Sequence, residues 1–318
     1  MIHLASRFFQ RKLRSLTIVS AAFVLILVIG AVTFQFRKNM APCHLAKPVM
    51  AAAEMRPIGN AQMNTQSTGS REESTASSSG VSSGKEAPPA YQTMYPDLYA
   101  GELVPAAAPK EKTVYLTFDD GPSNLTIPLL NVLDTYHVKA TFFVVGHTDR
   151  QSLKAMKEIV NRGHAIGVHS YTHQFEQIYA SPASFLEDYA KMHDLIKSTT
   201  GVDTKIYRYA GGSVNDYNKN TARDIIAEMN RRGYVYYDWN VDSGDAEKGA
   251  TAKSIYRNVI SGVHRYSNSV VLLHNTKFKG NTLKVMAKII KTLKNESYSF
   301  DVLGPSVDSS PYLFCKIP

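Results

Sequence analysis

The sequence predicts an α/β fold, a distorted (β/α) barrel with about seven parallel strands, preceded by a transmembrane helix and a flexible linker. Three observations carry that expectation. From Lys112 to about Leu303, short apolar runs alternate with amphipathic helical stretches. Such alternation implies parallel strands joined by right-handed crossovers. Several of the strands run directly into acidic residues, histidines or an arginine. Before this regular region lie one long charge-free apolar segment and a stretch with almost no large apolar residue.

Taken in order, residues 1–15 are expected to be a cytoplasmic N-terminus and residues 16–36 a transmembrane anchor. The anchor reads LTIVSAAFVLILVIGAVTFQF, long enough to cross a bilayer as a helix. Arg7, Arg11, Lys12 and Arg14 precede it, while only Arg37 and Lys38 follow closely. By the positive-inside rule the chain beyond it is extracytoplasmic, so the expected location is the cell membrane, single-pass. A cleaved signal peptide usually has a shorter apolar region. Residues 37–110 form the expected linker. Its Ser67–Ala90 stretch, STGSREESTASSSGVSSGKEAPPA, cannot bury enough surface to offset the entropy of ordering.

Residues 111–305 form the expected catalytic domain and 306–318 a C-terminal tail. The predicted strands are Val114–Phe118, Ala140–Val145, Ala165–Val168, Lys205–Arg208, Tyr234–Trp239, Ser269–Leu273 and a last one near Phe300–Leu303. The predicted helices are Leu125–His137, Leu153–Arg162, Pro182–Thr200, Asn220–Arg232, Thr251–His264 and Thr282–Asn295. The third is the best marked, with Ser181 to cap it, Pro182 at its first position and Gly201 beyond its end.

The net charge of +9 suits anionic surroundings such as a wall polymer or a membrane surface. No zinc finger, RNA-binding aromatic signature or dense basic stripe is present, so nucleic acid is not an expected partner. The two cysteines, Cys43 and Cys315, make neither a disulfide scaffold nor a thiolate metal site; a bridge between them would tie the membrane-proximal stretch to the C-terminus.

In parallel β/α folds the site is built at the carboxyl ends of the strands. Asp119 and Asp120, His169, Arg208, Trp239 with Asp245, and His274 all follow predicted strands, so they project from one rim. His169 and His173 can converge on one metal ion, and Asp120 adds a carboxylate with open positions left for water and substrate. A zinc-like divalent ion there would acidify water and polarise a carbonyl. Successive strand side chains point oppositely, but a turn at Gly121–Pro122 lets both aspartates reach the site. Asp119 is then the base, with Arg208 to keep it ionised. His274 serves as general acid, with Asp245 or Asp242 holding its other nitrogen. Trp239, the single tryptophan, has a core role as its alternative.

TFDDGPS (117–123), HSYTH (169–173), RYAGGSVN (208–215), WNVDSGD (239–245) and LLHN (272–275) resemble the five ordered motifs of the polysaccharide deacetylases, the NodB homology domain of carbohydrate esterase family 4. The resemblance spans about residues 112–303. It implies removal of N-acetyl groups from an amino-sugar polymer, with Asp119 as base and Asp120, His169 and His173 as zinc ligands. It further implies that Arg208 orients Asp119, that Asp245 partners the acid His274, and that Trp239 and Leu272 line the acetyl-methyl pocket. The backbone N–H of Gly211 would stabilise the oxyanion. His147 and His164 fall outside this set. The chain departs from the family pattern at Ala210, where proline is frequent, at Ala246, where tryptophan is, and at Asn275, where aspartate is. A tethered domain reaches only nearby polymer, which makes peptidoglycan N-acetylglucosamine the expected substrate. An O-acetyl esterase and a catalytically inactive wall-binding module are the alternative readings.

Overall fold

A computed structural model of the chain describes residues 87–102 and 105–314. The expected anchor at 16–36, most of the expected linker, and both cysteines lie outside those residues. Among the described residues no helix is long and apolar enough to cross a membrane.

The centre of the fold is β1 (Thr113–Gly121), buried along its length except at Asp120. It is flanked in parallel by β2 (Thr141–Val145) and β7 (Asn268–His274). Buried on both faces and both edges, these strands read as near-continuous apolar runs. Outward from β2 follow β3 (Ala165–Ser170), β4 (Ile206–Tyr207) and β5 (Val235–Tyr236), while β6 (Val241–Asp242) pairs with β7. A short β8 (Ser299–Phe300) pairs with the start of β1. Every strand pairing is parallel.

The curled sheet is an incomplete barrel. The expected strand Tyr234–Trp239 shortens to β5, and the same passage forms β6 beyond Trp239; β5 is bonded to β4 and β6 to β7, with no ladder between β5 and β6. Tyr237 N–H donates to the Tyr207 carbonyl, whereas Asn240 N–H donates to that of Val270, so the chain changes partner within a few residues. Hydrophobic periodicity reports burial, not which neighbour a backbone bonds, and could not show this break.

The helices cover the outer face: α1 (Thr126–Thr135), α2 (Arg150–Asn161), the short α3 (Phe175–Ile178), α4 (Pro182–Thr200), α5 (Ala222–Arg231), α6 (Ala252–Val263) and α7 (Gly280–Asn295). Ser181 caps α4 by accepting from Ser184 N–H, and Gly201 ends it at φ +78°. Asp149 starts α2 earlier than expected by accepting from the Gln151 and Ser152 N–H groups. The main core lies between these helices and the sheet. A smaller cluster of Tyr115, Phe143, Ile206, Tyr237, Val270, Leu303 and Tyr312 fills the inside of the curl.

One boundary moves. Composition assigns residues 37–110 to the linker, yet Leu98 and Ala100 are buried and the segment is seated against the end of α5. Arg232 is fully buried there. Its guanidinium donates to Glu228 at 2.6 Å and to the carbonyls of Met94, Tyr95 and Leu98 at 2.7, 2.9 and 3.2 Å. The sequence offers Tyr91–Tyr95 as a short contact with the domain, and both tyrosines pack partly buried against the core, while the seating of Leu98 rests on backbone carbonyls.

Glu228 keeps Arg231 as a partner, so loss of Arg232 mainly strips a charged donor from the carbonyls of this segment, and a buried acceptor left unsatisfied costs about 1–3 kcal/mol. Arg232→Met should therefore lower the urea midpoint and speed amide exchange at Leu98 and Ala100. Unchanged protection at those two amides would show that the segment holds without Arg232.

Candidate active site

Side chains alternate along a strand, so parity selects which residues face the inside of the curl. On β1, Tyr115 belongs to the interior cluster, which puts Thr117 and Asp119 on the same face. On β7, Val270 belongs to it, and Leu272 and His274 follow at the same parity. Ile206 and Tyr237 likewise bring Arg208 and Trp239 inward. Apolar residues fill the floor and polar ones the rim. Asp119 and His274 are register partners across β1 and β7, so the expected base and acid stand side by side.

Asp119 is only 2% exposed and Arg208 is fully buried. Arg208 Nη1 lies 3.0 Å from Asp119 Oδ1 and 2.6 Å from Thr117 Oγ1. Its Nε and Nη2 donate to the carbonyls of Tyr237 and Asp238 at 2.8 and 2.9 Å. The guanidinium also stacks on the Phe143 ring at 4.5 Å. This is a locked interior pair, not a solvated surface salt bridge.

Asp120 and His173 have φ of +66° and +55°. Left-handed backbone is uncommon for residues other than glycine and concentrates at functional sites. At Asp120 it coincides with a break in the β1–β2 register between Asp119 and Gly121. That break removes the parity conflict between the two aspartates and turns Asp120 toward the histidines. Asp120 Oδ1 comes within 3.3 Å of His169 Nε2 and 3.1 Å of His173 Nε2.

The donor set fits a divalent cation. Ligand atoms of Asp120, His169 and His173 lie within 4.8 Å of one another. His169 Nδ1 donates to the Arg208 carbonyl at 2.9 Å, which leaves Nε2 to face the other two. Both Asp120–histidine distances are those of ion pairs, and one carboxylate oxygen, Oδ1, faces both imidazoles. Burial alone would lower the His169 pKa, but the Asp119 and Asp120 carboxylates outweigh it and raise the value. Burial opposes ionisation of Asp120, yet the two imidazoles hold its carboxyl far below the usual range. A cation would compete with the protons for these groups, making its binding pH-dependent.

Of the two aspartates offered as a partner for His274, Asp245 takes the place. Its Oδ1 is 2.6 Å from His274 Nδ1, and its Oδ2 accepts from His274 N–H and Thr282 Oγ1. Nδ1 is thereby taken, and Nε2 is the nitrogen that can meet a substrate. Burial would lower the His274 pKa, but the bond to Asp245 and the charges of Asp119 and Asp245 raise it. Asp242 instead accepts from Gly244 N–H.

Gly211 has φ +77°, and a Cβ there would lie 3.1 Å from the Phe175 ring, which packs between His173 and Tyr217 with ring centroids 5.1 Å from each. Ala210, where proline is frequent, does not leave this loop free: its carbonyl accepts from Tyr179 Oη at 2.7 Å and Asn215 Nδ2 at 3.2 Å. Trp239 is half-buried, 5.7 Å from the Arg208 guanidinium, and Leu272 is buried on the neighbouring passage. Asn275 uses Oδ1 to accept from Ser123 Oγ and Thr126 Oγ1, pinning the turn after Asp120. His164 is structural: Nδ1 accepts from Ala140 N–H, and burial lowers its pKa to about 4. His147 is exposed and helps line a cleft of about 440 Å³ that opens beside Asp120.

Two positioning carboxylates escaped sequence reasoning. Asp188, on α4, accepts from Ser170 Oγ, Tyr171 N–H, Thr172 N–H and Thr172 Oγ1 at 2.7–2.8 Å, and so sets the turn that carries His173. Its signal was an aspartate on the same helix face as Phe185 and Met192. Asp238 is buried and accepts from Ser213 N–H and Oγ, and from Phe314 N–H. Burial raises its pKa. Nothing in its local sequence marks it.

The profile of the polysaccharide deacetylase family matches residues 106–230. YheN of Bacillus subtilis, which carries that family designation, is 34% identical over 212 residues, covering 65% of this chain and 73% of the relative. A peptidoglycan-N-acetylglucosamine deacetylase of Bacillus cereus is 30% identical over 200 residues, covering 60% of this chain and 85% of its own. Among solved structures, the catalytic domain of the peptidoglycan N-acetylglucosamine deacetylase of Eubacterium rectale superposes with a TM-score of 0.62 at 38% identity, covering 65% of this chain and 94% of that one. With that fold, those relatives and five motifs meeting on one rim, the chain belongs to the polysaccharide deacetylase family and is an enzyme of that class.

Proposed function

We propose that this chain removes N-acetyl groups from N-acetylglucosamine residues of peptidoglycan, in a metal-dependent hydrolysis outside the cytoplasmic membrane. The observation that carries the reading is the meeting, within one rim, of a buried Arg208–Asp119 pair, an Asp120–His169–His173 cluster and a His274–Asp245 pair. The relatives' own activity on peptidoglycan supports the choice of polymer. So does the sequence, in which residues 16–36 have the length and flanking charges of an anchor.

Asp120, His169 and His173 would hold the cation, and two imidazoles with one carboxylate suit zinc. That ion supplies Lewis acidity toward water and the amide carbonyl. Asp119 takes the proton of the attacking water, and Arg208 keeps it ionised and aimed. The Gly211 N–H donates to the developing oxyanion. His274 Nε2 returns a proton to the departing amine nitrogen, while Asp245 fixes the ring through Nδ1. Trp239 and Leu272 bound the space for the acetyl methyl.

Residues 91–318 with added Zn²⁺ should release acetate from purified peptidoglycan. Asp119→Ala should lose about 10²- to 10⁴-fold in kcat, the usual contribution of a general base, while keeping its metal. His169→Ala should lose bound metal, read by elemental analysis. A wild-type protein that binds one equivalent of metal and releases no acetate from peptidoglycan or N-acetylglucosamine oligomers would sink the deacetylase reading.

His274 has a raised pKa, so its acid form persists to higher pH than in a free histidine, and activity falls as pH rises through the folded value. Asp245→Asn removes a charge that raises that pKa. The alkaline limb of kcat should therefore move to lower pH, and a limb that stays in place would assign it to another group. His274→Ala should abolish amide cleavage and spare cleavage of an acetate ester, because an alkoxide needs less help to leave than an amine. Equal loss on both substrates would argue against the acid role.

A further inference from the structure

Beyond β8 the chain does not leave the domain. It crosses the inside of the curl, where Leu303 and Tyr312 are buried and Tyr237 Oη donates to the carbonyls of Gly304 and Val307. It then brings Phe314 up beside Trp239, ring centroids 4.8 Å apart and planes 75° from parallel. Trp239 thus lies against Phe314 and near the Arg208 guanidinium, which grips Asp119.

The same tail is tied to the loop after β4. One carboxylate, that of Asp238, accepts from Phe314 N–H at 2.8 Å and from Ser213 N–H and Oγ at 2.8 and 2.6 Å. Between these bonds sits Gly212, at φ +88°. A Cβ there would lie 2.9 Å from the Phe314 ring and 3.3 Å from that of Trp239, so both rings press on the backbone next to Gly211. Phe314 remains 43% exposed. Its ring therefore packs on Trp239 and Gly212 with one face and meets solvent with the other.

We propose that Phe314 is a positioning and specificity residue: the tail carries it to the rim, where it braces Trp239 and the Gly211–Ser213 loop and so limits the size of the acyl group removed. The inference rests on the proposed deacetylase reading. A residue from outside the strand–helix repeat would then tune which amide is cut, without touching the groups that cut it. Ala246 gives the rim no second large ring directly after Asp245, which leaves Trp239 and its brace as the aromatic wall on this passage.

The test compares kcat and KM of the full chain, Phe314→Ala and Phe314→Leu on N-acetyl and N-propionyl glucosamine oligomers. Trp239 is the single tryptophan, so intrinsic emission reports its surroundings directly. Phe314→Ala should red-shift that emission and raise the propionyl-to-acetyl ratio of kcat/KM about tenfold, the scale of one methylene in an apolar pocket. Phe314→Leu should keep most of the wild-type ratio, which separates a shape effect from general damage. An unchanged ratio in Phe314→Ala overturns the proposal, whatever the emission does, because the ring is then a packing contact only. A wild type that releases neither acyl group overturns the deacetylase reading itself, and is told apart by its wild-type, not variant, failure.

Discussion

Arg208 is withdrawn from water, and a buried guanidinium must have its charge and donors met inside the protein. Its partners come from three places: Thr117 and Asp119 on β1, the Tyr237 carbonyl just after β5, and the Asp238 carbonyl one residue on. Those segments are not neighbours in the sheet, and β4, which delivers Arg208, is only two residues long. The short strands on that side of the curl are therefore held across the interior as well as edge to edge. The same carbonyl pattern continues outward, since the Arg208 backbone oxygen orients His169. One side chain and its own carbonyl thus connect the expected base to the expected cation cluster.

The rim shows how local backbone conformation serves chemistry. Asp120 and His173 occupy left-handed φ, a conformation with a cost for such residues that surrounding contacts must offset. At His173 those contacts come from Asp188, which accepts four hydrogen bonds from the preceding turn, and from Ser170 Oγ, which accepts from His173 N–H. At Asp120 they come from the turn pinned by Asn275. At Ala210 the loop is held by Tyr179 and Asn215, while Asn275 pins the turn through Oδ1 and leaves its buried Nδ2 without a partner.

Much of this was legible because β/α repeats couple sequence order to spatial position. A strand end followed by Asp, His or Arg is enough to put those residues on one rim, and five such ends agree. The sequence leaves the partner of His274 open between Asp242 and Asp245, because both follow the same passage and only the turn at Gly244 separates them. Before the first strand the sequence offers Tyr91–Tyr95 as a contact with the domain but gives no sign of the seating of Leu98, since Arg232 binds that stretch through backbone carbonyls that every sequence possesses.

By itself the sequence determined the parallel α/β class, the order of the elements, and the rim on which the candidate groups meet. Periodicity and strand-end chemistry are local, and they survive without knowledge of neighbours. Only the tertiary structure decided that the curl is bridged by one broken passage, that the tail closes on Trp239, and that Asp188 and Asp238 set the loops. Each of these depends on which distant backbone group a buried donor or acceptor meets. Burial makes such pairing obligatory, and the choice of partner belongs to the packed whole.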